Sequence, residues 1–392
     1  MKLFKSLLVA PATLGLLAPL SATANEINLV DVSGYSSSEE VQNINDFNPA
    51  KEIAVTNSRV DGLESRFNNL EAGSFSSTTS ASFGADFVIG AVDGEAAGKE
   101  ATTFNYQYGM NLSTSFTGED SLALTIETGN STGSGASGIL DMNPMSDVMT
   151  LDGITYTFPL GDKSTVMVGD STDVSALYST ACTYSAFTDL LSNCGLGTAA
   201  GLGGGSDYTA SSNSASSATI AAAYDFGNGF TLAGGLSGTG GADAGLFTNE
   251  SLDVYGIQAA YNTDSYGVSL SYALTDTSAT AESTFWGLNA SYSFEGEGLP
   301  SISVGYETED PSAGVTEEGY FVGLTWPEVG AGSFSVGMSS TENFKDTDTE
   351  YYQYEAAYSY PINDGMTITP GVFIKEGTTD QTGILVKTSF SF

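Results

Sequence analysis

From Phe75 to Phe392 the chain alternates with a period of two, and this constrains its fold more than any other feature. The clearest stretch is 103–117. Phe104, Tyr106, Tyr108, Met110, Leu112 and Phe116 point one way, and Asn105, Gln107, Gly109, Asn111, Ser113 and Ser115 the other. Successive side chains of a strand face opposite sides, so one face is apolar and the other small and polar. The same alternation recurs in Ile220/Ala222/Tyr224/Phe226, Trp286/Leu288/Ala290/Tyr292/Phe294 and Tyr352/Tyr354/Ala356/Tyr358/Tyr360. Two architectures use such strands. A soluble sandwich buries the apolar faces against each other, whereas a transmembrane barrel turns them to lipid around a polar interior.

The connections favour the barrel. Sixteen strands are predicted, starting near residues 75, 102, 121, 153, 164, 218, 230, 251, 265, 283, 301, 317, 333, 350, 366 and 383. Links after even strands are short, as in Gly118-Glu119-Asp120, Gly161-Asp162-Lys163 and Gly227-Asn228-Gly229. Links after odd strands are mostly longer, including 129–152, 170–217, 239–250 and 341–349. Short turns on one side and long loops on the other are the outer-membrane barrel pattern. An even strand number returns both termini to the turn side. Phe226, Phe230, Tyr261, Tyr266, Phe294, Trp326, Phe334 and Tyr360 gather near the turn-side strand ends, as an interfacial aromatic girdle does. A secreted β-rich adhesin or surface-layer protein is the competing class.

Three segments precede the barrel. Residues 1–24 read as a secretory signal peptide: Lys2 and Lys5, an apolar run from Leu7 to Leu20, and the small-x-small site Ala22-Thr23-Ala24. Residues 25–52 form an acidic spacer. Over 53–71, Ile53, Thr56, Val60, Leu63, Phe67 and Leu70 step by 3, 4, 3, 4, 3, which is a coiled-coil seam. With Val60 at a and Leu63 at d, Arg59 and Arg66 fall at g, and Glu64 and Glu71 at e. Arg59 then meets Glu64, and Arg66 meets Glu71, of a neighbouring parallel chain. Arg-Val-x-x-Leu-Glu followed by Arg-Phe-x-x-Leu-Glu resembles a signature of parallel three-stranded coils. A lone amphipathic helix on its own barrel is the other reading of this stretch. The fold expected is therefore all-β: a 16-stranded antiparallel transmembrane β-barrel over 75–392, preceded by a short trimeric coiled-coil helix.

Charge and composition remove several functions. Ten Lys and Arg stand against 47 Asp and Glu, a net charge of −37. No nucleic-acid partner is expected of such a polyanion. Without histidine no His-based triad or His-containing metal site can form. No enzyme activity, cofactor or metal is expected. Gly133-Ser-Gly-Ala-Ser-Gly138 matches GxGxxG but reads as a flexible loop with no helix after it. Asp346, Asp348 and Glu350 lack the spacing of an EF-hand.

The signal peptide, the coil VTNSRVDGLESRFNNLEAGSFSSTT running into the first strand, and the amphipathic last strand ending in Phe392 resemble the porins of cyanobacterial outer membranes. That family is grouped with carbohydrate-selective and iron-uptake porins. The resemblance covers nearly the whole chain, but only residues 25–52 precede the coil, too few for the usual surface-layer-homology domain. NINDFNPAKE (43–52) looks like a remnant of its opening, so peptidoglycan contact is not carried over. The resemblance implies a homotrimer in outer-membrane lipid of the Gram-negative type. It also implies passive transport of small ions and hydrophilic solutes, and a third outer loop folded inward as the constriction. That loop, 170–217, carries Asp173, Asp189 and Asp207 and the only cysteines, Cys182 and Cys194. An oxidising periplasm permits a disulfide between them. It would either stiffen an inward loop or staple one on the outer surface. By phase Asp86, Glu127, Glu307, Glu355, Lys375 and Lys387 face the lumen, and carboxylates there favour cations. The alternative is a structural barrel with little conductance, whose coil spaces the envelope.

Overall fold

The computed structural model describes residues 79–95, 100–172, 174–188, 190, 218–238, 248, 253–278, 281–296, 298–312, 315–340, 344–345 and 349–392. The signal peptide, spacer and coil lie outside them, with Arg59, Val60, Leu63, Glu64, Arg66, Phe67, Leu70 and Glu71. The strands fall inside the compact unit Glu71–Phe392.

They are β1 (Thr79–Asp93), β2 (Thr103–Thr114), β3 (Ser121–Gly129), β4 (Thr150–Pro159), β5 (Ser164–Asp170) and β6 (Ala218–Asp225). Next come β7 (Phe230–Gly238), β8 (Asp253–Asn262), β9 (Tyr266–Ser278), β10 (Ala281–Ser293), β11 (Ser301–Pro311) and β12 (Glu317–Val329). The last are β13 (Gly332–Ser340), β14 (Phe344–Lys345), β15 (Tyr352–Asn363), β16 (Met366–Lys375) and β17 (Gln381–Ser391). All belong to one sheet, and every pairing is antiparallel from neighbour to neighbour. The sheet closes where Gly84 to Asp93 of β1 pair with Ser391 to Thr382 of β17. β14 has two residues and, among the described residues, pairs with Glu317 and Glu318 of β12. The other strands form the closed 16-stranded wall. A closed barrel leaves no backbone edge unpaired, which is what a bilayer demands of a sheet.

Alternation sets which face looks where. Leu270 is 48 % exposed and its neighbour Ser269 is 1 % exposed. The outward band of Ile220, Leu232, Ile257, Leu288, Val304, Val322 and Val372 is apolar and exposed. Toward the turn side it ends in paired rings: Phe226 with Phe230 at 5.0 Å, Tyr261 with Tyr266 at 6.0 Å, Trp326 with Phe334 at 5.9 Å and Phe83 with Phe392 at 5.5 Å. The inward face carries Ser237, Gln258, Ser271, Asn289, Ser303 and Gln353. This is the arrangement of the barrel and not of the sandwich.

The turns are built from residues suited to them. Gly227 and Gly229 take φ of 80° and 87°, left-handed values that glycine reaches without a Cβ penalty. At the β2–β3 turn, Asp120 Oδ1 accepts from Phe116 N (2.9 Å), Thr117 N (2.7 Å), Thr117 Oγ1 and Ser115 Oγ (both 2.8 Å), and Oδ2 from Tyr156 Oη at 2.7 Å. Hydrogen bonding to the Thr117 backbone, then to Tyr156 and Ser115, holds this carboxyl well below the ordinary carboxylate range. A depressed folded-state pKa adds stability above the unfolded value, about 3.9, that is lost as pH falls through the folded value. Asp120→Asn should therefore lower the unfolding temperature at pH 7. The difference from wild type should shrink only in strong acid, as heat-dependent gel mobility would show.

Two sequence expectations change. The outer link 129–152 is not wholly irregular: α1 (Ala136–Ile139) starts inside the Gly133–Gly138 stretch read as a flexible loop without a helix. It forms because Ala136 and Ile139 can bury themselves against the inner wall. β14 falls inside the expected loop 341–349, and two residues are too few to show a period.

A candidate constriction inside the barrel

Residues 174–188 and 190 of the third outer link (170–217) run along the inner wall. Val174 packs on Val254 of β8, Ala273 of β9 and Phe285 of β10. Ser179 N donates to Gln258 Oε1 (2.8 Å), and Asn262 Nδ2 donates to Ser179 Oγ (2.9 Å) and to the Thr180 carbonyl (3.1 Å). Asn262 is the last residue of β8, so the link descends to the turn side. It then crosses β11, where Thr183 N donates to Ser303 Oγ at 3.1 Å. Tyr184 and Leu190 pack on Phe321 of β12. Phe187 joins a cluster with Ala357 of β15 and Phe373 of β16.

Small residues make room for this path. A Cβ at Gly323 would stand 2.5 Å from the Tyr184 ring, one at Gly337 2.7 Å from Leu190, and one at Gly371 would run into the Phe187 ring. Another at Gly256 would press on Val174 at 2.8 Å. Glycine inside a strand weakens it unless another chain segment must approach closely. Here that segment is the third link.

One carboxylate fastens it. Glu355 Oε1 accepts from Tyr184 Oη (2.5 Å) and Phe187 N (2.8 Å), and Oε2 from Thr188 N (2.7 Å) and Thr188 Oγ1. Gln353 Nε2 donates to Thr188 Oγ1 at 2.9 Å. Glu355 is 5 % exposed. Burial, and then the neighbouring carboxylate, push the Tyr184 hydroxyl far above its ordinary range. It therefore stays a donor to at least about pH 10.

The lumen residues expected from phase divide into groups. Asp86, Glu127 and Lys387 lie on inward positions of adjoining strands, where Lys387 pairs with Val88, Asp86 with Gln107, and Gly109 with Glu127. Gln107 Nε2 and Asn143 Nδ2 donate to Glu127 Oε2 at 3.2 and 2.9 Å. Lys375 stands apart at the outer end of β16, opposite Gln353. Glu355 and Glu307 also face inward but are buried, Glu307 at 1 % exposure, so neither fronts open water. Phase shows which side a residue takes; it does not show what covers it. Asp173, Asp189, Asp207 and Cys194 lie outside the described residues. Cys182 is disulfide-bonded.

The anchors Tyr184, Phe187 and Thr188, and the network partners Gln107 and Asn143, were not picked out from sequence. The inward glycines at 256, 323, 337 and 371 were the available signal.

Engineered variants of the Rhodopseudomonas blastica porin superpose with a TM-score of 0.54 at 18 % identity, covering 80 % of this chain and 100 % of theirs. Another, at 19 % identity, gives the same score and coverage. The fold is that of a porin. At such identity the likeness is one of architecture. In sequence, an uncharacterized protein of Nostoc sp., alr4550, is 41 % identical over 83 residues. That match covers 21 % of this chain and only 14 % of the Nostoc protein. No family model matches the chain.

Proposed function

We propose that the protein is an outer-membrane porin that lets small ions and hydrophilic solutes diffuse through a water-filled barrel narrowed by its third long link. The observation that carries this is the third link seated on the inward faces of β8 to β16, inside a closed wall whose outward face is apolar. A 16-stranded barrel is wide enough for an aqueous channel, and the solved porins share the architecture.

Cation preference follows from the charge. Asp86 and Glu127 front the part of the lumen that stays accessible, Lys387 is the basic group beside them, and the whole chain carries −37. Carboxylates at a pore favour cations, and a like-signed mouth concentrates them. Glu307 and Glu355, both buried, do not front the passage. Across a planar bilayer under a KCl gradient, the dilute side should become positive. A reversal potential of the opposite sign, meaning chloride preference, would overturn the assignment.

The segments before the barrel extend the reading. Residues 1–24 export the chain, residues 53–71 bring three copies together, and a Cys182–Cys194 disulfide stiffens the third link. Closure of a loop of this size is worth about 3 kcal/mol on the chain-entropy model. A second reading, a structural barrel with little conductance, draws on the large share of inner wall the links cover.

A further inference from the structure

The third link is not alone inside the barrel. Ala136, Ile139 and Met142 of the second outer link (129–152, between β3 and β4) are buried in the same apolar cluster as Val88, Val92 and Leu385 of the wall and Phe187 of the third link. Val88 and Val92 sit at inward positions of β1, alternating with the exposed Phe87 and Ile89. Apolar side chains on the wall of a wetted lumen are costly unless something apolar covers them, and α1 does so.

The second link is shaped for that place. Ser131 Oγ donates to the Met142 carbonyl at 2.7 Å, and Met142 N donates to the Ser137 carbonyl at 2.9 Å, which folds 131–142 into a compact knot. Gly135, at φ 64°, turns the chain into α1, and its N–H donates to Glu95 Oε1 at 3.0 Å. Asn143 then ties the far end to Glu127. Past that point the chain crosses the rim, where Tyr106, an outward residue, donates to Asp147 at 2.6 Å.

We infer that the second link is a second bar of the constriction: α1 covers the lumen wall at β1, the third link covers it from β8 to β16, and the passage runs along β2 to β4. This rests on the reading of the protein as a pore. The inward residues left accessible there are Gln107, Asn111, Thr125, Thr155 and Glu127. Their amides, hydroxyls and single carboxylate suit small hydrated cations. Glu127 is thus a selectivity residue that also positions the second link through Asn143.

The test compares the full-length protein with two variants in planar bilayers and in liposome swelling with neutral sugars. One carries Ile139→Asp with Met142→Asp; the other replaces 132–142 by a short Gly-Ser linker. Val148→Asp, on the exposed stretch beyond the rim, is the control. Single-channel conductance should rise by at least half in both variants, and a trisaccharide excluded by the wild type should enter. The control should match wild type. Wild-type conductance in a linker variant that keeps its heat-dependent gel mobility would overturn the inference, and this variant decides if the double aspartate does not fold. A silent wild type with a conducting linker variant upholds the inference while refuting the open-pore reading. If both are silent, both fail.

Discussion

Glu355→Ala is expected to open the pore without unfolding the barrel. The substitution removes the acceptor of Tyr184 Oη, Phe187 N, Thr188 N and Thr188 Oγ1. Each buried donor left without a partner costs roughly 1–3 kcal/mol, and every 1.4 kcal/mol or so is tenfold in the population of the seated link. The wall keeps its ladder, because residue 355 pairs through its backbone with Gly337 and Phe373. Larger and noisier conductance steps should therefore appear at nearly unchanged unfolding temperature. Gly371→Leu should do the same without altering charge, since its side chain takes the space of the Phe187 ring. Agreement between the two separates displacement of the link from loss of a carboxylate. Wild-type conductance in both, with intact barrels, would show that the seated link does not set the bore.

The second large effect concerns the outward face. Leu270→Arg places a charge on the exposed band in the middle of β9. At the midplane of a bilayer this costs about 2–4 kcal/mol. Folding into vesicles should become less complete, and the urea midpoint should fall. Thr125→Arg, at an inward position of β3, should fold with normal yield. It should instead lower conductance and move the reversal potential toward chloride, because the guanidinium joins Glu127 and Asp86 in the lumen. The reverse pattern, with the inward arginine failing to assemble and the outward one silent, would mean that the two faces have been exchanged.

Much of the barrel was legible because its information is local. Alternation in 103–117 and 283–294 reports the side each residue takes, and Gly227-Asn228-Gly229 reports a tight turn. Strand starts fall within a few residues of those read from the pattern, as at Ser121, Ser164, Ala218, Phe230 and Ser301. The interior was less legible, because it depends on contacts between residues far apart in the chain. Nothing near Glu355 marks it as the acceptor for residues some 170 positions earlier, as the Tyr184 bond with a separation of 171 shows. The four residues of α1 carry no amphipathic period, and their burial comes from Val88 and Leu385. The inward glycines were visible as breaks in a wall of Ser and Asn, though only the third link explains them.

The proposed porin function requires water to fill the barrel while its apolar face meets lipid. Single-channel recording of the purified wild-type protein in a planar bilayer tests this most directly. Discrete, stable, ohmic steps are expected, larger in KCl than in a salt of the same chloride activity with a bulky cation. A protein that inserts as a folded barrel and passes no current would contradict it.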